Sequence, residues 1–142
     1  MNYKNIHIGQ MIKARITECE IDSERICNFM NSTDREIEET LKQENVSTEE
    51  LLKWSKLLEY DFFRLYSQHL IFYAPPSAEH NKKKENVSKG ELPTFRKNIY
   101  TKEIIDFILN QIESKEMTII DVFEKYKIPK TTLYKWIRKY KK

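Results

Sequence analysis

The chain has 142 residues, enough for one moderate domain or two small ones, with 33% charged residues and a net charge of +3. No apolar run approaches the ~20 residues of a membrane-spanning helix, and the N-terminus MNYKNIHIGQ lacks the apolar core of a signal peptide. Two cysteines, Cys19 and Cys27, point to a reducing cytoplasm rather than a disulfide scaffold, and two glycines, Gly9 and Gly90, exclude glycine-rich phosphate loops.

From Gln10 to Ala74 neither glycine nor proline occurs, so this stretch is expected to be helices joined by polar turns. Ile8, Met11, Ile12, Ile16 and Cys19 recur at helical spacing and predict a first helix over about 8–18. Asp22 or Ser23 caps a second helix carrying Ile26, Cys27, Phe29 and Met30. Ser32 or Thr33 caps a third, with Ile37, Thr40 and Leu41. Ser47 opens a fourth, with Glu50 at capping-box spacing and Leu51, Leu52, Trp54 and Leu58 along one face. Asp61 opens a fifth, with Leu65, Tyr66 and Leu70.

Residues 74–98 break the pattern. They hold three of the four prolines, Pro75, Pro76 and Pro93, together with Gly90 and the run Lys82–Lys84, and are expected to form a flexible linker. It separates two halves of opposite charge. Residues 1–80 carry nine Lys+Arg against fourteen Asp+Glu, a net of −5; residues 81–142 carry sixteen against eight, a net of +8. The basic half is the candidate for a polyanion partner.

Helical spacing resumes beyond Asn98. Thr101 caps a helix with an apolar stripe of Ile104, Ile105, Phe107, Ile108 and Ile112. Thr118 caps the next, with Asp121 at its third position and Ile119, Val122, Phe123 and Tyr126 as apolar members. Lys127-Ile128-Pro129 interrupts, and a last helix over about 130–140 places Leu133, Trp136, Ile137 and Tyr140 at i, i+3, i+4 and i+7. The expected fold is therefore all-α: an acidic five-helix domain over 1–73, a linker over 74–98, and a basic three-helix helix-turn-helix domain over 99–142.

Two segments resemble known families. His7–Ile12, Ser47–Leu52 and, most distinctively, Leu57-Leu58-Glu59-Tyr60-Asp61-Phe62-Phe63 resemble the five-helix repressor-like domain of the Xre or phage-repressor type. That resemblance implies that the second and third helices form a DNA-reading motif. The third helix departs from it, because Thr33–Glu44 holds five carboxylates against two cations, and a net −3 surface is repelled by phosphate. This domain is expected to serve dimerisation or partner contact instead, the alternative for its acids being a merely solvated face.

The stretch Thr118–Ile137, above all Thr131-Thr132-Leu133-Tyr134-Lys135-Trp136, resembles the helix-turn-helix of transposase and resolvase-like DNA-binding domains. Ile128 falls at the buried turn position, and Leu133 and Trp136 at the anchors of the recognition helix. Lys127 stands where that family prefers glycine, and Phe123 where it prefers alanine. With Leu133, Trp136, Ile137 and Tyr140 turned inward, Lys130, Thr131, Tyr134, Lys135, Arg138 and Lys139 face outward. Lys130, Thr131 and Tyr134 are expected at base edges, Lys135 at bases or phosphate, and Arg138, Lys139, Lys125 and Lys127 at phosphates. Lys141 and Lys142 extend the charge.

No strand pattern builds the carboxylate-bearing sheet of a nucleotidyl transferase. His7, His69 and His80 are scattered, so no metal-ligand spacing appears. The expectation is a cytoplasmic non-enzyme, on the nucleoid when bound, without cofactor, metal, membrane association or small-molecule ligand. It acts as a homodimeric, sequence-specific reader of double-stranded DNA, most simply a transcriptional regulator. Two alternatives stay open: a transposon-associated DNA-binding protein without a catalytic domain, and an interaction adaptor that binds no DNA.

Overall fold

The computed structural model describes residues 3–75, 91–93, 95 and 98–140, and among these it is all-helical. Most of the segment expected to be a linker lies outside the described residues, as do Lys82–Lys84, Lys141 and Lys142. Eight helices are described: α1 (Ile8–Cys19), α2 (Ser23–Met30), α3 (Asp34–Leu41), α4 (Thr48–Leu57), α5 (Phe63–Tyr73), α6 (Lys102–Glu113), α7 (Ile119–Tyr126) and α8 (Lys130–Tyr140). They fall into two compact units, residues 2–67 and 68–142.

In the first unit α1 packs on α3, and α2 packs on both α3 and α4. Ile8, Ile12, Trp54 and Phe62 are fully buried, with Ile26, Met30, Ile37, Leu51 and Leu58 around them. The start of α1 shows how the unit is closed. A helix leaves its first four N–H groups without intrahelical partners. Here Ile8 donates to the Glu44 carbonyl and Gly9 to the Gln43 carbonyl, each at 3.1 Å, and Gln10 donates to the capping His7 Nδ1 at 3.3 Å; the regular helix ladder begins with Met11, which donates to the His7 carbonyl at 3.2 Å. The chain just past α3 thus supplies the acceptors for the first two N–H groups of α1. This approach needs Gly9, although its φ is not positive: a Cβ there would stand 2.5 Å from the Leu41 carbonyl oxygen and 2.6 Å from that of Gln43.

The expected caps are met unevenly: Asp22 and Thr101 stand at the N-cap positions of α2 and α6 in extended conformation but make no side-chain cap hydrogen bond. Thr33 and Glu36 close a reciprocal capping box at the start of α3, and Thr118 and Asp121 close another at α7. At α4 only half of the expected box forms. Ser47 Oγ accepts from the Glu50 N–H, but the Glu50 carboxylate accepts instead from the Thr40 hydroxyl at 3.2 Å, tying α4 to α3. The Thr33 N–H and then its hydroxyl hold the Glu36 carboxyl below its ordinary value; the Thr118 hydroxyl and then its N–H do the same for Asp121. A carboxylate depressed in the folded state stabilises above its unfolded pKa and stops doing so as pH falls through the folded one. Urea midpoints are therefore expected to drop on acidification between about pH 5 and pH 2. The double substitution Glu36→Gln, Asp121→Asn is expected to flatten that dependence, which a pH series of unfolding curves reads directly.

The chain closes its helices without glycine. Glu20, Asn31, Glu59, Lys115 and Lys127 all adopt positive φ, between 48° and 59°. Cys19 and Cys27 are free and half-buried. The Cys27 thiol donates to Asp34 Oδ1 at 3.3 Å, and burial followed by this hydrogen bond pushes its pKa up, which suits a structural thiol rather than a reactive one.

The second unit begins inside α5, at Gln68, ahead of the 1–73 end drawn from composition. Gln68 is fully buried. Its carboxamide donates to the Ile99 carbonyl at 2.6 Å and accepts from the Thr101 N–H at 3.1 Å, so it satisfies the backbone that leads into α6. Phe72 lies edge-on to Phe107 and Tyr126, with ring centroids 5.3 and 5.5 Å away. Ile104, Ile108, Val122, Ile128 and Leu133 form the buried centre, and Tyr100 stands edge-on to Trp136 at 4.9 Å. Leu109 is buried where the sequence suggested Phe107, which is partly exposed against Phe72.

Candidate nucleic-acid interface

α7, the turn and α8 form a helix-turn-helix. The Lys127 N–H donates to the Phe123 carbonyl at 3.0 Å and closes α7 with Lys127 at φ 56°, ψ 26°. That is the left-handed conformation for which glycine is the ordinary residue. Ile128 then drives its side chain fully into the core. The Pro129 carbonyl accepts from the N–H groups of Thr132 and Leu133 at 2.9 and 3.1 Å and starts α8. Substituting Lys127→Gly is expected to relieve the left-handed strain and raise stability by about 0.5–1 kcal/mol net of the added freedom of the unfolded chain. The gain is read as a shift in urea midpoint.

α8 is anchored by Leu133 and Trp136, with Ile137 half-buried beside them. Tyr140 differs from expectation: at the end of the helix it is 41% exposed rather than buried. The remaining surface of α8 faces solvent. Lys130, Thr131, Tyr134, Lys135, Arg138 and Lys139 are all exposed, Tyr134 by 58%, and Lys130, Tyr134 and Arg138 line up at i, i+4 and i+8. Lys125 is exposed on α7, and Lys127 is half-buried in the turn.

The helix KTTLYKWIRKY carries no carboxylate. Among the described residues, the four side-chain ion pairs, Arg15–Glu18, Arg35–Glu39, Lys53–Glu49 and Arg64–Asp61, all lie in the first unit. Among the described residues no carboxylate therefore pairs with the cations of α8. Three basic side chains of this unit lie over aromatic rings instead: Lys125 over Tyr126 at 5.2 Å, Lys130 over Phe123 at 5.3 Å and Lys139 over Tyr140 at 5.1 Å.

No family model, curated protein or solved structure matches this chain. The reading of the surface therefore rests on its own chemistry. An exposed helix with four cations outside any ion pair among the described residues, and with interleaved Thr and Tyr, is suited to phosphate neutralisation with hydrogen bonding to base edges.

The charge on α3 of the first unit has the opposite sign. On α3 only Ile37 is buried; Asp34, Glu36, Glu38 and Glu39 are exposed, with Arg35 engaged by Glu39. An open depression of about 520 Å³ along α2 is lined by Asp22, Glu24, Arg25, Asn28 and Phe29, a mixed lining with no convergent catalytic set. Among the described residues no three His, Cys, Asp or Glu side chains are grouped to hold a metal, and no helix is long and apolar enough to cross a membrane.

Sequence reasoning missed one residue of this surface. Phe123 does not fill the seat between α7 and α8 that an alanine occupies in the resembled family. Val122 is the fully buried residue of α7, and Phe123 is 39% exposed with Lys130 over its ring. Spacing gave no signal of this, since 119, 123 and 126 fall at i, i+4 and i+7 and so share a helical face.

Proposed function

We propose that the protein is a non-enzymatic, sequence-specific DNA-binding protein acting as a transcriptional regulator, and that it reads the major groove of duplex DNA with α8. One observation supports this most directly: the outward face of α8 carries Lys130, Lys135, Arg138 and Lys139, exposed and outside any ion pair among the described residues, on a helix with no carboxylate. Thr131 and Tyr134 lie in the first turns, the part of a recognition helix that reaches base edges, while Lys125 and Lys127 flank it as phosphate contacts. A single small helix-turn-helix makes few contacts, so a homodimer on two half-sites belongs to the same proposal. The first unit, with its acidic α3, is assigned to dimerisation or partner contact.

The test is a titration of the full chain onto random and genomic duplex fragments at several salt concentrations. Binding whose logarithm falls linearly with log salt supports the reading, and the slope divided by about 0.9 counts phosphate contacts. No binding at low salt refutes it. Enrichment of one sequence from a random duplex pool supports specific reading, and sedimentation as a monomer at high concentration removes the dimer.

A further inference from the structure

Phe123 sits where packing does not call for an aromatic ring: the buried face of α7 is already filled by Val122 and Tyr126. Its backbone is nevertheless tightly held, because its carbonyl accepts the Lys127 N–H that closes the helix. Lys130 has the opposite problem. As the first residue of α8 it lies at the positive end of the helix dipole, with no carboxylate on its own helix, and its long stem is free to sample many rotamers. The ring and the ammonium meet at 5.3 Å. The other two cation–ring contacts of this unit, Lys125–Tyr126 and Lys139–Tyr140, join sequence neighbours. Lys130–Phe123 alone among them joins two helices across the turn.

We propose that Phe123 is a positioning residue for DNA binding, holding the Lys130 ammonium in one place at the leading edge of α8. This rests on the reading of α8 as the DNA-facing helix. The ring gives the cation an attractive partner that neither neutralises it nor blocks its approach to phosphate or a guanine edge. A lysine already held in place loses less freedom when it binds.

The experiment uses the full chain with Phe123→Leu, Phe123→Trp, Lys130→Gln and the double variant Phe123→Leu, Lys130→Gln. In the free protein the Lys130 methylene protons next to the ammonium are expected upfield, shifted by the ring current, and to return to ordinary positions in Phe123→Leu. On duplex DNA, Phe123→Leu is expected to bind about threefold more weakly, with an unchanged salt slope because no charge is lost. Phe123→Trp is expected to restore binding, and the double variant to bind no more weakly than Lys130→Gln alone. A wild-type chain with no upfield shift overturns the proposal, and so do additive losses in the double variant. Absence of any wild-type DNA binding overturns the DNA-facing role of α8 itself, and it is recognised before any substitution is made.

Discussion

Replacing Lys130, Lys135 and Arg138 together by glutamine is expected to weaken binding to duplex DNA on the order of 10²–10³-fold at about 0.1 M salt. The size follows from counterion release. Each phosphate neutralised contributes about 0.9 to the log–log salt slope, so a contact favourable by about tenfold at 0.1 M relative to 1 M disappears with each cation. If all three side chains lie on phosphates, the slope itself drops by nearly 3. If Lys130 lies on a guanine edge instead, the slope drops less and preference at one base position relaxes. The affinity and the slope together therefore apportion the contacts. Lys42→Gln with Lys56→Gln removes two exposed cations of the acidic unit and is the control, with binding expected to change little. Fluorescence anisotropy on a labelled duplex at four or more salt concentrations measures all of these. Equal loss in the control and the triple variant would mean that the effect is one of net charge, and the assignment to α8 would fall.

The face that carries this prediction was legible before any coordinates, because it follows by subtraction. Leu133 and Trp136 must be inside, so their complement on an 11-residue helix must be outside. The Thr118–Asp121 box was legible for a related reason, both partners lying within one turn of chain, whereas at α3 the sequence marked the Thr33 cap but not its partner Glu36. The left-handed Lys127 was marked only by standing where the resembled family prefers glycine. What escaped was non-local. Gln68 looks like one more polar residue of a surface helix, yet its two partners lie 31 and 33 residues ahead and make it the polar centre of the second unit. Glu50 has the spacing for a capping box, but Thr40 competes for its carboxylate from another helix. Tyr140 obeys the apolar period and is still exposed, because periodicity says which way a side chain points and not whether anything is there to meet it.

Gly9 is the sharpest instance of a non-local requirement, and Gly9→Ala carries the largest expected effect on stability. The residue lies in the first turn of α1, where alanine is intrinsically the better helix former. Propensity alone therefore predicts a gain. The structure predicts the reverse, because the new methyl carbon would stand 2.5 and 2.6 Å from two backbone carbonyl oxygens, and neither can swing aside as a side-chain tip would. Relief requires α1 to back away from the chain after α3. That motion stretches the Gly9–Gln43 and Ile8–Glu44 hydrogen bonds, both 3.1 Å, and loosens the packing of Ile8 and Ile12, which are fully buried. Overpacking of this kind costs about 1–3 kcal/mol, and a stretched backbone hydrogen bond adds about 1 kcal/mol, so a loss of about 3 kcal/mol is expected. For a small unit that is a large part of the total. Each unit carries its own reporter: Trp54 is fully buried in the first and Trp136 is buried in the second. In a Trp136→Phe background, urea unfolding followed by Trp54 fluorescence is expected to shift to much lower denaturant on Gly9→Ala. With Trp54→Phe instead, the Trp136 transition is expected to stay in place. A neutral or stabilising Gly9→Ala would mean that helix propensity outweighs the close approach, and the account of how α1 is seated on α3 would have to be abandoned.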